Sequence, residues 1–171
     1  MLETIGKVKR WAHDRNLIEG SDSITQYLKL VSELGELADA INKKQDVRDA
    51  IGDCLVVLII IAEQQYCSHS LETPLLFNTG EKQQKEAAVM ASLDIAYLGY
   101  RLCCRVNVAS DIKDVLNRLN TVAVLYGVTL SECLEHAYNE IKDRRGVMLD
   151  GVFIKEDDGA YAAAVEILGK D

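Results

Sequence analysis

Proline is almost absent from this 171-residue chain, with Pro74 the single example. Proline fixes φ and removes an N–H donor, so its scarcity leaves long helices unopposed. Aromatic residues make up only 6%, and alternating β-branched runs are few, which favours helix over sheet. Histidine is scarce too: His13, His69 and His136 have no metal-ligand spacing, and no Ser-His or Cys-His nucleophile arrangement asserts itself. Positive charge is outnumbered, giving a formal net charge of -8. Such an acidic surface argues against binding nucleic acid or an anionic membrane, both of which need basic faces. It does not argue against a phosphorylated ligand, because a bound divalent cation reverses the local sign. No apolar run reaches the ~20 residues that span a bilayer; the longest is Cys54 to Ala62. The polar, amphipathic start MLETIGKVKRWAHDRN does not read as a signal peptide. The five cysteines form an odd set without C-x-x-C spacing, as expected of buried, reduced thiols in a soluble, cytoplasmic protein.

What is present is aliphatic residue at helical spacing. Hydrophobic residues make up 49% of the chain, and its length suits one domain spanning 1–171 with a sizeable core. Ile5, Val8, Trp11 and Ala12 predict a first helix from about Glu3 to Arg15. Ser23 and Gln26 have capping-box spacing and open a second, running to about Lys44. Asp46 is placed to cap a third, Val47 to about Gln65, whose second half is apolar on all sides and belongs at the centre of a bundle. Cys67 to Gly80 has lost periodicity and reads as a loop. Further helices are expected at Gln84–Cys104, Asp111–Tyr126 and, behind the capping box Thr129/Glu132, Leu130–Arg145. Asp150-Gly151 between two short apolar runs predicts a β-hairpin, and Asp157 to Leu168 a last short helix. The fold class is therefore all-α, a bundle of antiparallel helical hairpins with a short C-terminal β-hairpin.

An internal similarity bears on this architecture. DVRDAIGDCLVVLIIIA from Asp46 resembles DIKDVLNRLNTVAVLYG from Asp111, and ELGELADAI from Glu33 pairs loosely with DIAYLGYRL from Asp94. Shared helical period alone accounts for part of the match; a true duplication would make two hairpins, about 23–66 and about 84–126. The second copy lacks the acidic set, with Tyr97 opposite Glu36 and Arg118 opposite Asp53.

The informative segment is Lys29 to Leu58. Glu33 and Glu36 lie three apart on one expected helix, Asp49 and Asp53 four apart on the next, so each pair shares a helix face. The short turn between them makes the helices antiparallel, which brings Glu36 level with Asp49 and Glu33 level with Asp53. Facing carboxylates take up protons or require a cation, and hard oxygen donors suit Mg²⁺, with Mn²⁺ an alternative. Gly35 and Gly52 interrupt the same helices at roughly 1 kcal/mol each, which predicts close backbone approaches. A solvated acidic face paired with Lys43, Lys44 and Arg48 is the competing structural reading. Asn139, Lys142 and Arg145, at i, i+3 and i+6 on the sixth expected helix, are candidate donors to phosphate, or else ordinary cations at a helix C-terminus. Trp11 is a candidate to stack on a nucleobase, or a core residue.

These residues resemble the all-α nucleoside triphosphate pyrophosphohydrolases of the MazG-like family, which carry E-x-x-E on one helix and E-x-x-D on the next. Here the first motif is Glu33-Leu34-Gly35-Glu36, inside K-L-x-x-E-x-G-E-L opened by Lys29, and the second is Asp49-Ala50-Ile51-Gly52-Asp53. WAHDRNLIEG from Trp11, and ECLEHAYNEIKDRRG from Glu132 with GVFIK after it, also look like phage- and bacterial-type members. The resemblance implies Mg²⁺-dependent hydrolysis of a nucleoside or deoxynucleoside triphosphate between the α and β phosphates, for nucleotide-pool housecleaning or dNTP control. It gives Glu33, Glu36 and Asp53 to metal binding, with Asp49 as a further ligand or water-orienting base. Lys29, Asn139, Lys142, Arg145 and Trp11 become the substrate-binding set, and a homodimer or homotetramer is expected. Ser32 and Ala50 stand where many members have glutamate, with Asp49 one residue before the expected place. These departures keep open a catalytically degenerate module that holds a nucleotide or a partner without turnover. A purely structural bundle would leave the clustered acids unexplained.

Overall fold

The computed structural model describes residues 1–77 and 83–169. Within them run seven α-helices and one two-stranded sheet: α1 (Leu2–Asp14), α2 (Ser23–Lys43), α3 (Arg48–Gln64), α4 (Gln84–Cys103), α5 (Ala109–Leu125), α6 (Leu130–Ile141), β1 (Gly146–Leu149), β2 (Val152–Lys155) and α7 (Tyr161–Leu168). None of these helices is long and apolar enough to cross a membrane.

The centre of the bundle is α3. Every residue from Cys54 to Ala62 is buried, and α1, α2, α5 and α6 all pack against this helix. A helix apolar on every side has no solvent face to offer, so it is surrounded. Its closest neighbour is α6: a Cβ added to Gly52 would lie 2.3 Å from the Cys133 carbonyl oxygen. The expected close approach therefore holds at Gly52. It does not hold at Gly35, where an added Cβ would meet nothing within 4 Å.

Local chemistry sets most helix ends. The capping box at the start of α6 is complete: Glu132 N–H donates to Thr129 Oγ1, and Thr129 N–H donates to the Glu132 carboxylate. The start of α2 differs from expectation. Asp22, not Ser23, is the cap, its Oδ1 accepting from the N–H groups of Ile24 (2.9 Å) and Thr25 (2.8 Å). An ionised carboxylate is the stronger acceptor for the positive end of a helix. Ser23 Oγ accepts instead from Gln65 Nε2, and Gln26 Nε2 donates to Ser21 Oγ. At α3 the N-cap is Val47, without a side-chain cap, rather than the expected Asp46, whose Oδ1 accepts the Arg48 N–H at 3.0 Å.

Two boundaries depend on distant parts of the chain. The expected sixth helix ran to Arg145, but α6 stops at Ile141. Trp11 Nε1 donates to the Ile141 carbonyl (2.8 Å), and Arg15 donates from Nε to Arg144 O (2.7 Å) and from Nη2 to Lys142 O (2.9 Å). Carbonyls that a longer helix would aim along its axis are thus held by α1 and the residue after it. The chain then enters the hairpin, β1 pairing antiparallel with β2 so that Leu149 faces Val152. Asp150 (φ 48°) and Gly151 (φ 80°) both adopt the left-handed region, as a two-residue hairpin turn of this twist demands. α7 begins later than expected, at Tyr161, and buries Ala164.

The segment expected to be a loop contains a short 3₁₀ turn, Ser68–Glu72; its residues 78–80 lie outside the described residues. Cys54, Cys67 and Cys133 are buried as expected, whereas Cys103 and Cys104 are exposed at the end of α4, and all five thiols are free.

Candidate metal and nucleotide cleft

The α2–α3 hairpin turns through Lys44, whose φ of 55° closes α2. This short reversal sets the acidic turns of the two helices side by side. Glu33, Glu36, Asp49 and Asp53 all line one cleft of about 600 Å³, within the usual range for a small-molecule site. They differ in environment. Glu33 is only 3% exposed, Asp53 is half-buried, and Glu36 and Asp49 are open to solvent.

Burial first, then the neighbouring carboxylates of Glu33 and Asp49, push the Asp53 carboxyl up to about 6, against the pull of Arg144 and Lys29. A buried acid facing other acids is an electrostatic conflict that a proton or a cation relieves. Lys29, one turn before Glu33, places its ammonium directly against the Glu33 carboxylate. At the outer edge, His136 Nε2 lies 3.8 Å from Asp49 Oδ1 and 3.6 Å from Glu140 Oε1. These three exposed side chains present ligand atoms within 4.8 Å of one another, so the oxygen-rich mouth extends onto α6.

The remaining walls are apolar and basic. Leu28, Val56, Val57 and Ile60 line the cleft from α2 and α3, Ile141 from α6, and Val152 and Phe153 from the hairpin. Arg144 and Lys155 line it as well, with Lys29; of these, Arg144 and Lys29 pull against the upward shift of Asp53. Asn139, Lys142 and Arg145 do not line this cleft. Helical spacing alone groups them, and α6 ends at Ile141, before that spacing can bring them together. Arg144 and Lys155 are reached by the turn out of α6 and the hairpin, which periodicity does not encode; the adjacent pair Arg144-Arg145 and the GVFIK strand were the available signals. Trp11 does line the cleft. It is 7% exposed, bonded to Ile141 O, and has the Arg15 guanidinium over its ring at 5.1 Å.

Fold and cleft together define a helical bundle whose central hairpin presents facing carboxylates to a pocket of nucleotide size. Residues 21–72 match the family described as "MazG nucleotide pyrophosphohydrolase domain". That stretch begins beside the α2 cap and ends at the 3₁₀ turn, so it contains all four acids, and over these residues it bears out the resemblance to the MazG-like family. One relative is described as "Uncharacterized 18.2 kDa protein in rep-hol intergenic region", from Haemophilus phage HP1 (strain HP1c1). It is 42% identical over 74 residues, which cover 42% of this chain and 45% of the relative. The shared region is therefore less than half of either protein. No solved structure matches the chain.

Proposed function

We propose that the chain hydrolyses a nucleoside or deoxynucleoside triphosphate between its α and β phosphates, releasing the monophosphate and pyrophosphate, in nucleotide-pool housecleaning or dNTP control. The observation that carries this reading is one cleft lined at once by four carboxylates (Glu33, Glu36, Asp49, Asp53), three cations (Lys29, Arg144, Lys155) and apolar side chains.

The acidic set suits Mg²⁺ or Mn²⁺. Its donors are carboxylate oxygens, the preferred ligands of hard cations, and burial together with the Glu33 and Asp49 carboxylates raises Asp53 to about 6, a conflict that a cation relieves. Glu33, Glu36 and Asp53 would hold the ion, with Asp49 as a further ligand or the group that orients water. When bound, the ion neutralises phosphate charge and lowers the pKa of a bound water. Glu33 is buried and held by Lys29, so its carboxylate is fixed before substrate arrives, which saves ordering entropy at the reaction. The Lys29 ammonium, already at the cleft, can exchange Glu33 for a phosphate oxygen. Arg144 and Lys155 can hold the outer phosphates by charge-assisted hydrogen bonds. Asp49, exposed beside Asp53, is free to accept a proton from water. Leu28, Val57, Ile60 and Phe153 offer apolar contact for ribose and base.

Five free thiols suit the cytoplasm. Leu28, Val89, Leu93 and Tyr97 are each more than half exposed on α2 and α4, and such faces favour a homodimer or homotetramer; sedimentation as a monomer would count against assembly. A second reading, a nucleotide- or partner-binding module without turnover, is favoured by Ser32, which lines the cleft where many MazG-like proteins have glutamate.

The deciding experiment is product analysis over a panel of NTPs, dNTPs and modified nucleotides with Mg²⁺ or Mn²⁺, beside Glu36→Gln. Monophosphate plus pyrophosphate, lost in the variant, is the expected result. Diphosphate plus phosphate would refute the bond assignment, and metal-dependent nucleotide binding without product would make the module the better reading.

A further inference from the structure

The two helical hairpins correspond at one constant spacing of 61 residues. α2 starts at 23 and α4 at 84; α3 spans 48–64 and α5 spans 109–125. Irregular features recur at the same interval. Lys44 and Arg105 are both left-handed, as are Tyr66 and Gly127. Their N–H groups close equivalent turns, Lys44 onto Ile41 O and Arg105 onto Leu102 O, Tyr66 onto Glu63 O and Gly127 onto Val124 O. Each second helix is entered alike: Asp46 Oδ1 accepts the Arg48 N–H, and Asn107 Oδ1 accepts the Ala109 N–H, both at 3.0 Å. Helical period alone does not repeat turn conformations and the side-chain hydrogen bonds that precede a helix. This spacing differs by one helical turn from the sequence pairing of α3 with α5. It sets Asp114, rather than Arg118, against Asp53; Asp94 remains against Glu33.

The second hairpin thus also has two acids facing across its helices. Burial and Asp94 push the Asp114 carboxyl up, as burial and Glu33 do for Asp53. Asp111, 5% exposed, adds charge beside them. Its Oδ2, 3.5 Å from Arg101 Nε, has no hydrogen-bond partner among the described residues. What differs is where the cation comes from: Glu33 is met by Lys29, an exposed side chain of its own helix, whereas Asp94 is met by a half-buried arginine from the facing helix. Arg118 Nε donates to Asp94 Oδ2 at 2.7 Å, with side chains 16% and 26% exposed. The equivalent of Arg118 in the first hairpin is Val57, which is buried and neutral. Arg118 also relieves Asp114.

We propose that α4–α5 is a second copy of the α2–α3 hairpin that keeps the facing carboxylates, Asp94 and Asp114, and carries a permanent cation, Arg118, where the first copy takes a divalent metal. The chain is then an internal pseudo-dimer with one open acid site, and its second hairpin stays closed with or without metal. This rests on the reading that Glu33 and Asp53 hold a cation.

The test is the number of Mn²⁺ ions bound per chain, by electron paramagnetic resonance of free Mn²⁺, for the full-length protein, Arg118→Val and Arg118→Val/Asp114→Asn. Arg118→Val should bind one more Mn²⁺ than the parent and lose it in the double variant. It should also melt lower than the parent in EDTA and recover with Mn²⁺. An unchanged count in folded Arg118→Val would overturn the proposal. If circular dichroism shows that variant unfolded, Arg118→Gln carries the same expectation. A parent that binds none while Arg118→Val binds one would overturn the α2–α3 metal reading and, with it, the comparison between the two hairpins, leaving only Arg118 as the group that closes the second.

Discussion

Replacing Asp53 by asparagine should stabilise the metal-free protein while abolishing its response to metal. Asp53 rises from an ordinary value of 3.8 to about 6, chiefly through burial and then through Glu33 and Asp49. At 1.36 kcal/mol per pKa unit, a shift of about two units corresponds to roughly 3 kcal/mol. The side chain is only half-buried, so solvent screening reduces this to roughly 1–2 kcal/mol. The sign follows from proton linkage. Below pH ~4 the carboxyl is protonated in both the folded and unfolded chain, and it contributes no pH dependence. Between pH ~4 and ~6 the folded chain keeps a proton that the unfolded chain has released, so stability falls as pH rises. Above about pH 6 the full penalty is present. Asparagine removes it, so at pH 7.5 in EDTA the variant should melt about 2–8 °C higher, at 2–4 °C per kcal/mol for a chain of this size. At pH 4.5 most of the gain should be gone. Mg²⁺ should reverse the order, since a ligand at 100 times its Kd adds about 2.7 kcal/mol to the parent alone. Thermal unfolding by circular dichroism at both pH values, with EDTA and with Mg²⁺, reads all of this. A variant no more stable than the parent in EDTA at pH 7.5, or a gain of equal size at pH 4.5, would refute the reasoning.

Other substitutions probe separate links of the argument. Gly52→Ala drives a methyl to 2.3 Å from the Cys133 carbonyl oxygen and should destabilise by about 2–3 kcal/mol. Gly35→Ala meets open space and should stabilise by roughly 0.5–1 kcal/mol; chemical denaturation midpoints compare the two. Arg144→Ala and Lys155→Ala should each raise KM about tenfold, the loss of ~1.4 kcal/mol of phosphate contact, whereas Lys142→Ala, outside the cleft, should change it less than about threefold. Steady-state kinetics on the preferred triphosphate would show this, and equal effects at all three sites would count against phosphate contact from Arg144 and Lys155. Trp11→Phe removes the donor to Ile141 O and should lower stability by about 1 kcal/mol, with KM little changed, in paired thermal and kinetic assays.

Much of this protein is written in local pattern. One proline and aliphatic spacing of 3.6 residues predict the helices, and the all-round apolar run from Cys54 to Ala62 predicts that α3 lies at the centre. Thr129 and Glu132 announce the start of α6, Asp150-Gly151 the hairpin. The acidic quartet is legible for the same reason: three- and four-residue spacings and a short turn are local facts, and they bring Glu33, Glu36, Asp49 and Asp53 to one cleft. Tertiary structure decided the rest. α6 ends at Ile141 because Trp11 and Arg15, near the other end of the chain, hold its last carbonyls and those just beyond. That ending takes Lys142 and Arg145 off the helical face that spacing implies and lets Arg144 and Lys155 line the cleft. Periodicity carries information over a few residues, so it reports faces and turns. Which cation reaches a site depends on hydrogen bonds between segments more than a hundred residues apart, and only the folded chain brings those together.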